Sequence, residues 1–222
     1  MSARMIVFDV DGTLVDSQAQ ILGAMAHAFG SVGLVCPARA QVLSIVGLSL
    51  PQAIARLMPC SDPTLLAELV EGYRNSFVDL RARETSPLYP GAREALEQLA
   101  DSGDWVLGVA TGKSRRGLDH MIAAHGLAGF FRTTQVADDH PSKPHPAMLR
   151  AALTAAGADP SQAVMVGDTT FDIEMGRAAG TQTLGVAWGY HAPSALVQAG
   201  AHQVIEGFAD LVPALDQMWE TA

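Results

Sequence analysis

Lysine is nearly absent from this chain of 222 residues: only Lys113 and Lys143 carry that side chain. Cysteine is as rare, at Cys36 and Cys60, too few for a disulfide framework or a zinc site. Long apolar runs are missing as well. None reaches the roughly 18 residues needed to span a bilayer. Met1-Ser2-Ala3-Arg4 leads straight into a short apolar run that ends at Asp9, so no secretory leader is expected and the cytoplasm is the expected compartment. Positive charge is in deficit: 14 Lys and Arg stand against 23 Asp and Glu, a formal net charge of −9. Nucleic acids and anionic membranes both reward basic surfaces, so neither is expected as a partner. There is no internal repeat and no low-complexity tract. Apolar residues, in contrast, are plentiful: 49% hydrophobic against 17% charged fits a soluble globular protein rather than a disordered one. The length suits one large domain, or a core with a smaller companion.

Met5-Ile6-Val7-Phe8 is short and wholly apolar, as a parallel strand buried on both faces would be. Further strands are expected at Trp105–Ala110, Thr133–Val136, Ala163–Val166 and Thr183–Ala187. Between them lie helical patterns at Ala92–Ser102, Ser114–His125, Pro146–Ala156 and Phe171–Ala179. Gly103, Gly126, Gly157 and Gly180 each sit just past one of these helices, where a left-handed capping residue belongs. The alternation predicts an α/β fold: a Rossmann-like parallel sheet with helices on both faces. Residues 17–85 break it. They read as helices throughout, at Ile21–Phe29, Pro51–Leu57 and Leu65–Leu80, and end in the return Ser86-Pro87-Leu88-Tyr89-Pro90-Gly91. An all-helical domain of residues 17–85 is therefore expected, inserted after the first strand into a core of residues 1–16 and 86–222.

Ligands of an open parallel sheet bind at the carboxyl ends of its strands. There the sequence places Asp9-Val10-Asp11-Gly12-Thr13, Thr111-Gly112-Lys113 and Gly167-Asp168-Thr169-Thr170-Phe171-Asp172, with Ser142-Lys143-Pro144 a few residues beyond the third strand. Thr111 and Gly112, opening a helix, suit phosphate binding through a hydroxyl and backbone N–H groups. Asp168 also stands where a helix N-cap belongs, a role compatible with metal binding. Asp172 lies one helical turn further on and faces the same way. A nucleotide-binding loop at Gly108 to Ser114 is excluded, because three residues separate its glycines where four are required. A calcium loop starting at Asp9 is excluded in the same way: its glycine would be fourth instead of sixth, and Gln20 would stand where an acid belongs.

On these motifs the chain resembles the haloacid dehalogenase superfamily, and within it the phosphatases with a helical cap after the first strand, most closely the phosphoglycolate phosphatase-like branch. The resemblance implies a phosphatase that hydrolyses a small phosphate monoester, with phosphoglycolate one candidate, through an aspartyl-phosphate. Asp9 would be the nucleophile. Asp11 would protonate the leaving alkoxide and then activate water, helped by neighbouring carboxylates that raise its pKa. Lys143 would neutralise phosphoryl oxygens, and Thr111 and Gly112 would hold them. Mg2+ would sit among Asp9, the backbone carbonyl of Asp11 and Asp168, with Asp172 acting through water. Lys113 is also open to a plain place in the first turn of its helix. The loop Ile45-Val46-Gly47-Leu48-Ser49-Leu50 would lean over the site, with Gly47 against the substrate.

Dehalogenases of the superfamily lack the second acid, so Asp11 argues against them, and a cap without lysine argues against its phosphonate hydrolases. A phosphomutase of the β-phosphoglucomutase type shares all the motifs and stays open, as does a silent binding protein on the same fold. The cap loop carries no arginine to meet a substrate carboxylate. Arg56, Arg74, Arg81, Arg83, Arg115 and Arg116 are the alternative partners, and His191 a candidate for the pocket rim. The expected partner is a small-molecule phosphate ester, the assembly a monomer or homodimer. Two short connections, at Val15-Asp16-Ser17 and Ser86-Pro87-Leu88, are expected to hinge the cap.

Overall fold

The computed structural model describes residues 4–59, 62–83 and 85–220, with side chains outside 78–83 and 220. Its sheet is wholly parallel, built from β1 (Arg4–Phe8), β2 (Trp105–Thr111), β3 (Thr133–Val136), β4 (Ala163–Gly167), β5 (Gln182–Val186) and β6 (Gln203–Ile205) in the order β3-β2-β1-β4-β5-β6. This confirms the expected α/β class and adds β6, which the sequence pattern did not show.

Alternate residues of a strand face opposite sides of the sheet. Ile6 and Phe8 pack with Leu107, Val109 and Val166 against helices α5 (Ala92–Ser102), α6 (Arg115–Ala124) and α10 (Leu211–Glu220). Met5 and Val7 pack with Ala110 and Met165 against α7 (Ala147–Ala156) and α8 (Thr170–Ala179). A central strand covered on both faces has no polar side to show, and this is why β1 is a continuous apolar run. Truncating Phe8, wholly buried here, to Ala would cost about 3–5 kcal/mol. The short helix α9 (Pro193–Gln198) leads to β6. Gly103, Gly126, Gly157 and Gly180 all take positive φ at their helix ends, as expected.

Between β1 and α5 run α1 (Gln18–Ser31), α2 (Arg39–Leu43), α3 (Leu50–Leu57) and α4 (Pro63–Arg83). They bury an apolar cluster of their own around Met25, Phe29, Val42, Ile54 and Leu69. Phe171 at the start of α8 enters that cluster from the sheet side. The chain leaves and re-enters the sheet at neighbouring points. Val15 forms an antiparallel bridge with Leu88, and Asp16 N–H donates to the Pro87 carbonyl at 2.9 Å. Among the described residues no helix is long and apolar enough to cross a membrane.

Candidate active site

Strand order reverses at β1, which has β2 on one side and β4 on the other. Such a switch point opens a crevice at the strands' carboxyl ends. Phe8 is level with Val109 of β2 and Val166 of β4, so Asp9, Thr111 and Asp168 emerge close to one height. Asp9 N–H continues the ladder to the Val166 carbonyl at 2.9 Å. This fixes the backbone of Asp9 at the mouth of the crevice.

Asp9, Lys143, Asp168 and Asp172 are all buried here. Lys143 Nζ donates to Asp9 Oδ1 at 2.7 Å and to Asp172 Oδ1 at 2.6 Å. Burial disfavours its ammonium, but the carboxylates of Asp172 and Asp9 outweigh that and hold its pKa above the ordinary range. The Asp172 Oδ2 atom accepts from the N–H and hydroxyl of Thr169, at 3.1 and 2.7 Å. Asp168 accepts from the Thr13 hydroxyl at 2.9 Å and from the Tyr190 N–H at 2.9 Å. The N-cap of α8 is Thr169, so Asp168 is not the cap. Asp172 also pairs with Lys143 directly, a contact its place in the sequence did not show.

Burial pushes Asp9 up to about 7; Lys143 opposes the shift and Asp172 adds to it. Burial, with Asp172 and Asp9, likewise lifts Asp168 well above the carboxylate range. Among the described residues Asp9 Oδ2 is buried without a hydrogen-bond partner. One ligand atom from each of Asp9, Asp168 and Asp172 lies within 4.8 Å of the other two. Three carboxyl groups face one ammonium, Lys143, so their full ionisation calls for further positive charge, and their donors are hard oxygens. A divalent cation that prefers oxygen fits both the charge and the orphaned Asp9 Oδ2.

The Asp11 carboxylate stands apart from this cluster. Lys113 Nζ donates to its two oxygens at 2.6 and 2.7 Å, and the Ser17 hydroxyl donates to Oδ1. The charge in contact with it is therefore an ammonium, where carboxylates were expected. For a metal this leaves the backbone carbonyl of Asp11. Lys113 is not in the first turn of a helix, because α6 begins at Arg115, capped by the Ser114 hydroxyl, which accepts from Gly117 N–H at 3.2 Å. Ser17 also meets the Tyr190 hydroxyl at 3.2 Å. Neither Ser17 nor Tyr190 carries a local sequence signal. Lys113 did carry one, being half of the chain's lysine.

A cavity of about 570 Å³ opens between α1–α4 and the strand ends, with Asp9, Asp11, Thr111, Gly112, Lys113 and Gly47 in its wall. Gly112 has no room for a side chain: a Cβ there would lie 2.6 Å from the Gly47 carbonyl oxygen and 2.7 Å from that of Leu48. Gly47 itself has φ +98°. Ser49 N–H donates to the Ser142 hydroxyl at 2.8 Å, a second tie between this loop and the sheet. His191 is not in the cavity wall. Its Nδ1 accepts from Thr170 N–H at 3.1 Å and its Nε2 lies 3.2 Å from the Ser44 carbonyl, so it stitches α8 to the segment after α2. Of the arginines considered, Arg74 and Arg116 line the cavity. Arg56 lies 5.4 Å from the Phe171 ring, and Arg115 is tied to Thr134 at 2.7 Å. Arg81 and Arg83 lie outside the described side chains.

Buried acids and a lysine are thus gathered at the switch point of a parallel sheet, under a helical insertion. The chain belongs to the haloacid dehalogenase-like hydrolase family, whose model matches residues 6–186. Over 95% of its length, and 92% of the other's, it is 33% identical to a protein of Dickeya dadantii named "Probable phosphatase IndB". It is 32% identical to the pyrophosphatase PpaX of Bacillus pumilus, over 93% of this chain and 94% of that one. A phosphoglycolate phosphatase of Yersinia pseudotuberculosis shares 31% over 96% of this chain and 93% of that one. Among solved structures, a haloacid dehalogenase-like family protein from Streptococcus pneumoniae superposes with a TM-score of 0.84 at 26% identity, over 96% and 98% of the two chains.

Proposed function

We propose that this protein is a magnesium-dependent phosphatase that hydrolyses a small-molecule phosphate monoester through a phosphoryl group carried on Asp9. The observation that carries this reading is the split environment of the Asp9 carboxylate. Oδ1 is anchored by Lys143 at 2.7 Å, while Oδ2 is buried, unpartnered, and part of a residue in the cavity wall. A buried acceptor left unpaired costs about 1–3 kcal/mol. Such a cost is offset when the oxygen meets phosphorus or a metal.

In the first step Asp9 Oδ2 forms a bond to phosphorus as the ester P–O bond breaks, and the alkoxide takes a proton from Asp11. In the second, water attacks the acyl phosphate, Asp11 takes the water's proton, and Asp9 and inorganic phosphate are released. Lys143 holds Asp9 Oδ1 throughout, and the Thr111 hydroxyl and Gly112 N–H receive phosphoryl oxygens. Asp9, the Asp11 carbonyl and Asp168 would hold Mg2+, which would supply positive charge to those oxygens. Asp172 fixes Lys143, and residues 17–85 act as the cap that closes over the chemistry. Relatives with names as different as pyrophosphatase and phosphoglycolate phosphatase support the reaction class while leaving the ester open. Phosphoglycolate is one candidate.

The test is phosphoenzyme trapping. Wild-type protein rapidly quenched during turnover of an aryl phosphate with Mg2+ is expected to carry one acid-stable, hydroxylamine-sensitive phosphoryl group, and Asp9→Asn to carry none. Label retained in Asp9→Asn would remove Asp9 from the role.

A further inference from the structure

The ester itself is written in the parts of the cavity that do no chemistry. Away from Asp9 one side of the wall is apolar, with Met25 from α1, Ile45 and Leu48 from the loop after α2, and Tyr73 and Phe77 from α4, while Ser114 and Asp138 lie on the sheet side. Tyr73 and Phe77 stack with ring centroids 5.5 Å apart at 21°. Both lysines are committed: Lys143 to Asp9 and Asp172, Lys113 to Asp11. Arg74 of α4 and Arg116 of α6 line the same cavity, one from the insertion and one from the sheet domain. Both are exposed, and neither makes a hydrogen bond or ion pair to another described residue. In a protein with a net charge of −9, two arginines in the wall of one cavity are a local gathering of positive charge. A guanidinium presents a planar fork that matches a carboxylate or phosphoryl group and stays charged at every working pH. The volume, about 570 Å³, lies within the range of roughly 300–1,000 Å³ typical of sites for ligands larger than a two-carbon acid.

Resting on the phosphatase reading above, we propose that the substrate is a phosphate monoester whose leaving group joins an apolar body to a second anionic oxygen group, carboxylate or phosphoryl, at its far end. The apolar body lies along Tyr73, Phe77 and the Ile45–Leu48 loop. The distal anion is received by Arg74 and Arg116, and because these come from the two sides of the cleft, the same contact draws the cap onto the core. This places specificity in two residues outside the family motifs.

The experiment uses the full chain with Mg2+ and three pairs of probes: phosphoglycolate, 4-phosphooxybutanoate and 6-phosphooxyhexanoate, each against its neutral amide. Acid and amide of one length share nearly the same leaving alcohol, so their ratio of kcat/KM reads the distal anion alone. The ratio is expected to rise with length, reaching about 10- to 100-fold for the longest pair, the value of one charge-assisted pair. Arg74→Gln and Arg116→Gln should each pull that ratio toward one through KM, with the fold checked by the amide's own turnover. A phosphonate of the same length in place of the carboxylate shows which anion is preferred; preference for either over the amide supports the proposal. Equal turnover of acid and amide at every length, a ratio that survives the double substitution, or phosphoglycolate as the best of the series would overturn it. Calorimetric binding of the same probes to Asp9→Asn keeps the proposal separate from the reaction. If no ester is hydrolysed, the phosphatase reading fails, and the acid-over-amide preference in binding still decides this one.

Discussion

Lys113 donates to both carboxylate oxygens of Asp11, at 2.6 and 2.7 Å, and in the same position lies 5.3 Å from the centre of the Phe77 ring. One side chain thus joins the end of β1, the turn after β2 and the long helix α4 of the insertion. The pair is mostly shielded, with 11% and 14% of the two side chains exposed, so it is screened far less than a surface ion pair.

Lys113→Met is expected to keep the apolar stem and lose the charge. Turnover of alkyl phosphates should fall about 10- to 100-fold, because the proton donor loses its anchor. Aryl phosphates, whose leaving groups need no proton, should slow much less during phosphoenzyme formation. Comparing single-turnover rates for the two ester types checks this, and an equal loss for both would take Lys113 out of the acid's setting.

The pH dependence follows from the buried acids. Asp9 rises from 3.8 to about 7 on folding, so over that window the native protein holds its proton more tightly than the unfolded chain does. Stability of the metal-free protein should therefore fall as pH climbs through the window and level off above it. Asp168 is shifted the same way and adds to the slope. Lys143, raised instead of lowered, stays charged throughout and adds none. Mg2+ selects the ionised carboxylates, so the stabilisation it provides should grow with pH across the same range and be sharply reduced in Asp168→Ala. Melting curves between about pH 5 and pH 8, with and without Mg2+, measure both slopes. A Mg2+ effect that shrinks with pH would contradict the assignment.

Gly112→Ala tests how tightly the insertion sits on the sheet. The new Cβ would press on the carbonyls of Gly47 and Leu48, at 2.6 and 2.7 Å, and backbone cannot give way as a flexible side chain can. The expected cost is about 1–3 kcal/mol, with a raised KM as the loop is pushed off. Gly30→Ala, near the end of α1 with no atom in its way, serves as the contrast and should be neutral or stabilising by up to about 1 kcal/mol.

Closure of the cap is testable through Ser142. Its hydroxyl receives Ser49 N–H at 2.8 Å, and the two hinge segments run side by side through the Val15–Leu88 bridge. Residues 17–85 are expected to swing about that bridge. Ser142→Ala should enlarge the radius of gyration of the ligand-free protein, while vanadate with Mg2+ should bring variant and wild type to the same compact value. Scattering curves unchanged by both the substitution and vanadate would mean a fixed lid.

The amino-acid sequence by itself determined the strands and helices that carry the chemistry. A run such as Met5–Phe8 is buried on both faces and must be apolar throughout. Asp9 and Asp168 were legible because they follow such strands, where the chain turns back and a polar residue has no packing reason to be, and Lys143 because the chain has only one other lysine. Local patterns end there. The segment Gln203–Ile205 is three residues long at the edge of the sheet and shows no alternation to read. The helix α10 carries Pro213 in its first turn, which a helix tolerates but a pattern search takes for a break. Tertiary structure alone decided which acid each lysine serves. Asp11 and Lys113 are 102 residues apart, Asp9 and Lys143 134, and nothing within either segment names its partner. It also decided that Ser17, Ser142 and Tyr190 hold the site together, and that Arg74 and Arg116 line one cavity. A side chain's partner is set by the packing of whole elements, and that packing is a sum over burial along the entire chain.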